Sequence, residues 1–141
     1  MTPSTHHPRI VLLVEDSDDD AFFFERALRS AGIPGQLTRV ADGGAAVEYL
    51  ERVSAESKDL SRTHVLFLDL KLPVLSGFDV LKWIKDKNLS IEVFVLSGSD
   101  LDSDIEAATR LGASDYLVKP ISAAELTRRL TQVAQSCVSR S

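Results

Sequence analysis

The stretch Ile10-Val11-Leu12-Leu13-Val14-Glu15-Asp16 is an apolar run that stops at two carboxylates. Three later apolar runs stop in the same way: residues 65–68 at Asp69, residues 93–96 at Ser97, and residues 116–118 at Lys119-Pro120. Short runs of this kind, separated by helical patterns, are typical of buried parallel strands, and such sheets bind ligands at the carboxyl ends of their strands. We therefore expect three carboxylates, a hydroxyl and an ammonium group to meet at one edge of one sheet.

The segments between these runs carry helical periodicity. Asp18 is expected to cap a first helix, with an inward stripe at Phe24, Ala27 and Leu28 and an end at Gly32. Further helices are predicted after Asp42-Gly43-Gly44, after a loop at 71–77 that Pro73 and Gly77 keep irregular, after Asp100 and after Ser122, with one more strand at residues 36–40. Five strands alternating with five helices predict an α/β fold, a doubly wound five-stranded parallel sheet with helices on both faces.

Three segments are predicted to lie outside this regular frame. Residues 1–8 are interpreted as a flexible tail, in which His6-His7 are solvated rather than metal ligands. Residues 54–63 are polar without an apolar period, and we interpret them as a surface loop and a candidate contact region. Cys137 falls on the apolar stripe of the last helix, which favours a small buried residue over a reactive thiol.

Composition limits the function classes. The 141 residues fit one domain, and a net charge of −5 disfavours contact with nucleic acid, whose protein partners usually present a basic patch. No apolar run approaches the roughly 20 residues needed to cross a bilayer, and no signal peptide begins the chain, so we expect a cytoplasmic protein without membrane contact. A single cysteine excludes an internal disulfide and any metal site built from several thiolates.

The expected carboxylate cluster predicts a divalent metal. Glu15, Asp16 and Asp69 come from two strand ends, and bringing them together costs free energy unless a cation or protons neutralise them. All-oxygen ligands of this kind suit Mg²⁺ or Mn²⁺. Capping of the following helix is the alternative, and it fits Asp18, Asp19 and Asp20 in a first helical turn.

A carboxylate beside a metal, a hydroxyl and an ammonium group can accept a phosphoryl group. Asp69 is the expected nucleophile because it stands alone at its strand end and a loop follows it. Lys119 is expected to bind a phosphoryl oxygen or to pair with Asp69. The following Pro120, whose peptide bond can be cis, is expected to orient Lys119 into the site.

In order, the segments VLLVED, LFLDLKLPVLSGFDVL, VFVLSGS and GASDYLVKP resemble the receiver domain of two-component response regulators, with its CheY-like, flavodoxin-like fold. The resemblance implies that Asp69 takes a phosphoryl group from a histidine kinase or a phosphotransfer protein. It implies that Asp16, Asp69 and the backbone carbonyl of Lys71 bind Mg²⁺, with Glu15 assisting, and that Ser97 and Lys119 contact the phosphoryl oxygens.

The same resemblance implies a switch pair and two modulating positions. Ser97 moving toward phosphoryl-Asp69 would open space for Tyr116 to turn inward and change the surface of the fourth helix and fifth strand. Packing of Tyr116 on that helix is the alternative. Lys71 and Ser99, each two residues beyond a reacting group, are expected to control access of the hydrolytic water, with Lys71→Ala changing the rate of autodephosphorylation.

We expect a receiver domain at residues 9–138, a short tail at 139–141 and no output domain, so that output is by protein contact to a target the sequence does not name. The acidic pair and the loop before the third strand are similar to those of single-domain regulators paired with phytochrome-type or hybrid histidine kinases. This narrower resemblance implies, as a hypothesis, a homodimer through the last helix and strand.

Two other functions stay open at this point. A receiver-like scaffold would bind partners without phosphorylation, although it would need none of Asp69, Ser97 and Lys119. An aspartyl-nucleophile phosphatase would need a second acid where Lys71 stands. A flavin carrier is disfavoured because residues 15–18 would repel phosphate. We therefore expect a phosphoacceptor with autodephosphorylation rather than a turnover enzyme.

Overall fold

Strand and helix alternate along the whole part of the chain that the computed structural model describes, which is residues 9–139, with side chains at all of these except Pro34 and 134–139. In chain order the elements are β1 (Ile10–Val14), α1 (Asp18–Ser30), a short 3-10 helix (Pro34–Gln36), β2 (Leu37–Val40), α2 (Gly43–Val53), β3 (His64–Asp69), α3 (Gly77–Asp86), β4 (Glu92–Ser97), α4 (Asp102–Arg110), β5 (Asp115–Val118) and α5 (Ala123–Ser139). The predicted tail at 1–8, residues 140–141 and the side chain of Cys137 lie outside the described part.

All strand pairs are parallel, and the sheet order is β2-β1-β3-β4-β5. The register sets Val14 beside both Val40 and Leu68, and Ser97 beside Val118. The strands therefore end at one common edge, and the predicted doubly wound parallel sheet is confirmed.

Two apolar clusters cover the two faces of this sheet. One joins α1 and α5 to β1, β3, β4 and β5, with Phe24 against Phe67 at a ring-centroid distance of 5.0 Å. The other joins α2, α3 and α4 to the opposite face, through residues such as Leu50, Leu81 and Ala108. β3 is buried along its whole length, as expected for a central strand covered on both sides. Continuous apolar runs, rather than alternating ones, follow from this double burial.

Two helix starts differ from the sequence prediction. The N-cap of α1 is Ser17, whose hydroxyl accepts a hydrogen bond from the Asp20 amide, whereas Asp18 is already helical. Gly77 was predicted to keep its loop irregular, but it is the first residue of α3, after a capping box formed by Ser76 and Asp79. In both cases a serine hydroxyl satisfies a free amide of the first turn and moves the helix start by about one residue.

The long connection before β3 is exposed over most of residues 54–63 but is anchored at one point. Leu60 is buried in the second cluster, and a parallel bridge joins Asp59 to Ser90. The interpretation of residues 54–63 as a surface loop does not extend to Leu60, which the sequence could not single out because one leucine carries no periodicity. Among the described helices, none combines the length and apolar character that crossing a bilayer requires.

Candidate functional site

One ammonium group joins three carboxylates at the carboxyl edge of the sheet. Lys119 Nζ lies 2.8 Å from Glu15 Oε1, 3.0 Å from Asp69 Oδ2 and 3.0 Å from Asp20 Oδ2. Lys119 follows β5, and its own amide donates to the carbonyl of Ser97 at the end of β4. The peptide bond between Lys119 and Pro120 is cis. The structure thus brings together side chains that are up to 104 positions apart in sequence.

The buried carboxylates are crowded. Ligand oxygens of Glu15, Asp16 and Asp69 lie within 4.8 Å of one another. Burial raises the pKa of Glu15 above its ordinary value, and the nearby Asp69 charge adds to this, although the Lys119 ammonium opposes it. For Lys119, burial alone would lower the pKa, but hydrogen bonds to three carboxylates outweigh it and raise the pKa. The lysine is therefore firmly cationic.

This carboxylate set fits a divalent cation. Its oxygens come from two strand ends, are of the hard type that Mg²⁺ and Mn²⁺ prefer, and carry more negative charge than Lys119 balances. Asp16 is exposed while Glu15 and Asp69 are almost fully buried, so the cluster opens to solvent on the Asp16 side.

Both carboxylate oxygens of Asp69 accept hydrogen bonds, and its backbone packs against α3. Its Oδ1 accepts a hydrogen bond from the Lys71 amide at 3.0 Å, and its Oδ2 accepts from Lys119. The start of α3 passes so close to the Asp69 carbonyl oxygen that a Cβ on Gly77 would lie 2.3 Å from it. Only glycine, which has no Cβ, allows this close approach. The start of α3 therefore packs directly against the main chain of Asp69, the candidate phosphoacceptor.

The predicted hydroxyl residue lies on β4, next to the strand of Asp69, and the predicted aromatic residue lies one strand further, on β5. Ser97 is fully buried at the end of β4, and its Oγ accepts a hydrogen bond from the Ser99 amide at 3.1 Å. Tyr116 is half-buried, and its hydroxyl donates to the Ser99 carbonyl at 2.9 Å. Tyr116 is therefore tied directly to the loop that follows Ser97.

The two predicted modulating positions differ in their surroundings. The Lys71 side chain is exposed, and its amide donates to Asp69 Oδ1. The Ser99 hydroxyl donates to Asp104 Oδ2 at 2.6 Å and accepts from the Leu101 amide, so it supports the start of α4. Their effect on the phosphoryl lifetime stays a prediction.

Sequence reasoning missed two contacts of this site. Asp20 was assigned only to the first turn of α1, but its carboxylate also contacts Lys119. Arg39 on β2 was assigned no role, yet its guanidinium reaches the Glu15 carbonyl and Asp18. Neither contact left a signal in the sequence, because Asp20 already fits a helix N-terminus and nothing in the weakly patterned β2 segment pointed to Arg39.

The sequence matches the family model described as the response regulator receiver domain over residues 11–131. The chain belongs to this family. Among curated relatives of this receiver domain, the probable methanogenesis regulatory protein FilR2 of Methanothrix harundinacea is 35% identical over 91% of this chain and 83% of its own length. Response regulator Rcp1 of Synechocystis is 33% identical over 84% of this chain and 82% of its own length. The Mycobacterium tuberculosis sensory transduction protein RegX3 is 36% identical, and only 49% of its length is covered.

Solved receiver structures agree with this assignment. The phosphorylated cyanobacterial phytochrome response regulator RcpA superposes with a TM-score of 0.76 at 28% identity, covering 96% of this chain and 97% of that one. The receiver domain of the Pseudomonas aeruginosa sensor histidine kinase PA1611, with magnesium coordinated in its active-site cleft, gives a TM-score of 0.72 at 32% identity, covering 92% and 99%. This receiver domain is thus a two-component response regulator module.

Proposed function

We propose that this receiver domain accepts a phosphoryl group on Asp69 from a histidine kinase or a phosphotransfer protein, in a Mg²⁺-dependent reaction in the cytoplasm, and passes the signal on by protein contact. The observation that carries the proposal is the Lys119 ammonium, which joins Asp69 to Glu15 beside Asp16. An aspartate placed between a fixed cation and two further carboxylates has the surroundings that phosphoryl transfer needs.

In the proposed transfer, an Asp69 carboxylate oxygen forms a bond to phosphorus while the phosphorus–nitrogen bond of phosphohistidine breaks. The electron pair of that bond stays on the imidazole nitrogen, and the product is an aspartyl phosphate. Lys119 is already within hydrogen-bond distance of Asp69 and needs only a small movement to contact a phosphoryl oxygen. Ser97, at the end of the neighbouring strand, is proposed as the second donor.

We assign the metal to Asp16, Asp69 and the Lys71 backbone carbonyl, with Glu15 assisting. When bound, Mg²⁺ would neutralise the carboxylates and the phosphoryl oxygens. The donor set of this chain supports the assignment, and so do the magnesium in the PA1611 receiver and the Mn²⁺-bound form of Rcp1, which is 28% identical with a TM-score of 0.71 over 95% of this chain and 97% of that one.

The proposed output is a change at the surface of α4 and β5. The Tyr116 hydroxyl is bonded to the carbonyl of Ser99, two residues after Ser97, so movement of Ser97 toward a phosphoryl group would act on that bond. In this proposal, Ser97 and Tyr116 form the switch, and the altered surface binds the target or a second copy of the chain.

The test is intact-mass spectrometry after incubation with acetyl phosphate and Mg²⁺. We expect one added phosphoryl group on wild type, none without Mg²⁺, and none on Asp69→Asn, which keeps the shape of the side chain but removes its charge. Glu48→Gln, on the exposed surface of α2, is the control for the charge change and should be phosphorylated like wild type. Failure of wild type to gain mass, with beryllofluoride also without effect, would support the phosphorylation-independent scaffold instead.

A further inference from the structure

Arg39 makes a three-point contact with the loop between β1 and α1. Its Nε and Nη2 donate to the backbone carbonyl of Glu15 at 2.9 and 2.8 Å, and its Nη1 donates to Asp18 Oδ1 at 2.9 Å. Arg39 lies on β2 opposite Leu13, so its side chain is on the sheet face that α1 covers. One guanidinium group therefore joins the end of β1, the start of α1 and the edge strand.

The carbonyl that Arg39 holds belongs to the peptide group between Glu15 and Asp16. Asp16 differs from the other two carboxylates of the cluster in how it is held. Glu15 and Asp69 each bond to Lys119, whereas within residues 9–139 the Asp16 carboxylate makes no hydrogen bond or ion pair. The position of the Asp16 side chain therefore depends on its backbone.

We propose that Arg39 is a positioning residue for the metal site, which sets the place of Asp16 by clamping the peptide group before it. The inference rests on the proposed function, because it assigns a supporting role to a residue outside the ligand set. Groups that orient metal ligands commonly affect metal affinity by about 10- to 100-fold.

Charge and position predict opposite effects, which makes the role testable. A positive guanidinium near a cation site weakens cation binding by Coulomb repulsion, so removal of the charge alone would tighten metal binding. Loss of the clamp would weaken it, because Asp16 would sample positions that do not contact the metal. A lysine keeps the charge but, with a single nitrogen, does not span the carbonyl and Asp18 together.

The experiment is a Mn²⁺ titration of the full chain, in which the electron paramagnetic resonance signal of free Mn²⁺ is followed and Mg²⁺ is added as competitor. We compare wild type with Arg39→Lys and Arg39→Gln. Arg29→Gln, which removes an exposed arginine from the last turn of α1, is the matched control. We expect both Arg39 variants to lose about tenfold or more in affinity and Arg29→Gln to bind like wild type.

A second readout without metal separates positioning from general stability. We expect amide exchange at Ser17, whose N–H donates to Glu15 Oε2, to accelerate in both Arg39 variants at protein concentrations and temperatures where circular dichroism shows them folded. If Arg39→Gln does not fold, Arg39→Lys is judged by the same criteria.

The proposal is overturned if Arg39→Lys binds Mn²⁺ like wild type, since the clamp is then not needed for metal binding. It is also overturned if Arg39→Gln binds Mn²⁺ more tightly, since charge repulsion is then the dominant effect of Arg39. Wild type that takes up no Mn²⁺ would overturn the metal assignment itself. Tight binding by wild type with unchanged Arg39 variants would overturn only the role of Arg39.

Discussion

The two edges of the sheet differ in the ratio of cationic to anionic side chains. At the amino edge, Arg9 before β1 donates to Glu92 at the start of β4 at 2.9 Å. Beside it, His64 at the start of β3 bonds to the Tyr49 hydroxyl at 3.1 Å and to the Thr63 hydroxyl at 2.8 Å. At the carboxyl edge, Lys119 alone contacts three carboxylates, and Asp16 adds a further one to the cluster.

The difference separates structural from functional polar groups. At the amino edge, Arg9 meets Glu92 and the Ser61 carbonyl, and His64 meets neutral hydroxyls, so no carboxylates cluster there among the described residues. At the carboxyl edge the carboxylates exceed the cation that faces them, which raises the free energy of the unliganded protein. Such an excess is expected where a metal and a phosphoryl group are to bind.

The largest effect is expected when the cation is removed from the carboxyl edge. Lys119→Met leaves Glu15 and Asp69 buried without their shared partner. We expect the free energy of unfolding to fall by about 2–3 kcal/mol. This loss is smaller than for a fully buried ion pair because Lys119 is partly exposed. Urea unfolding at neutral pH measures it.

The same variant tests whether Mg²⁺ neutralises the excess of carboxylates at the carboxyl edge. Because a divalent cation would relieve the repulsion that Lys119 no longer offsets, Mg²⁺ should raise the melting temperature of Lys119→Met more than that of wild type. Equal shifts in the two proteins would contradict the view that charge excess at this edge is what the metal neutralises.

The matching change at the amino edge is Arg9→Met. Its partner Glu92 has a side chain that is 39% exposed and can hydrate, so we expect a smaller loss of about 1–2 kcal/mol in unfolding free energy. Acetyl phosphate labelling and Mn²⁺ affinity should stay at wild-type values. A drop in labelling of the folded variant would break the proposed division between the two edges.

The smallest effect concerns His64. Burial lowers its pKa below the ordinary value of about 6.5, so the folded state takes up a proton at lower pH than the unfolded state does. Stability linked to His64 is therefore complete above about pH 6.5 and decreases as the pH falls through the folded pKa.

The measurement for His64 is urea unfolding of wild type and His64→Gln at about pH 7.5 and about pH 5.5. We expect wild type to lose more stability than the variant on acidification. The difference between the two proteins isolates His64 from Glu15, whose raised pKa acts in the opposite direction. Parallel pH dependences would show that burial does not hold this imidazole neutral.

The sequence contained enough to predict the sheet and the residues at its functional edge. The runs at β1, β3 and β4 are apolar throughout because helices cover both faces of the sheet, and this makes each strand end visible at Glu15, Asp69 and Ser97. Once the strands are parallel, their ends share an edge, so the meeting of these residues follows from the order of the elements.

The contacts that escaped prediction depend on side-chain reach rather than on pattern. Arg39 lies on an edge strand of half-buried residues, where no periodicity marks an inward face, and its bonds go to a backbone carbonyl that any residue could supply. Asp20 fits a helix N-terminus so well that a second contact leaves no trace in the sequence. The close approach of Gly77 to the Asp69 carbonyl oxygen is a packing constraint, which no sequence pattern shows.

The most direct test of the account is to locate the phosphoryl group chemically. Borohydride reduces an aspartyl phosphate to homoserine, so wild type treated with acetyl phosphate and Mg²⁺, then reduced and digested, can be mapped by tandem mass spectrometry. We predict homoserine at position 69 and at no other aspartate, and only when Mg²⁺ was present. Homoserine at Asp16 or elsewhere, or a phosphorylated protein without homoserine at 69, would contradict the account.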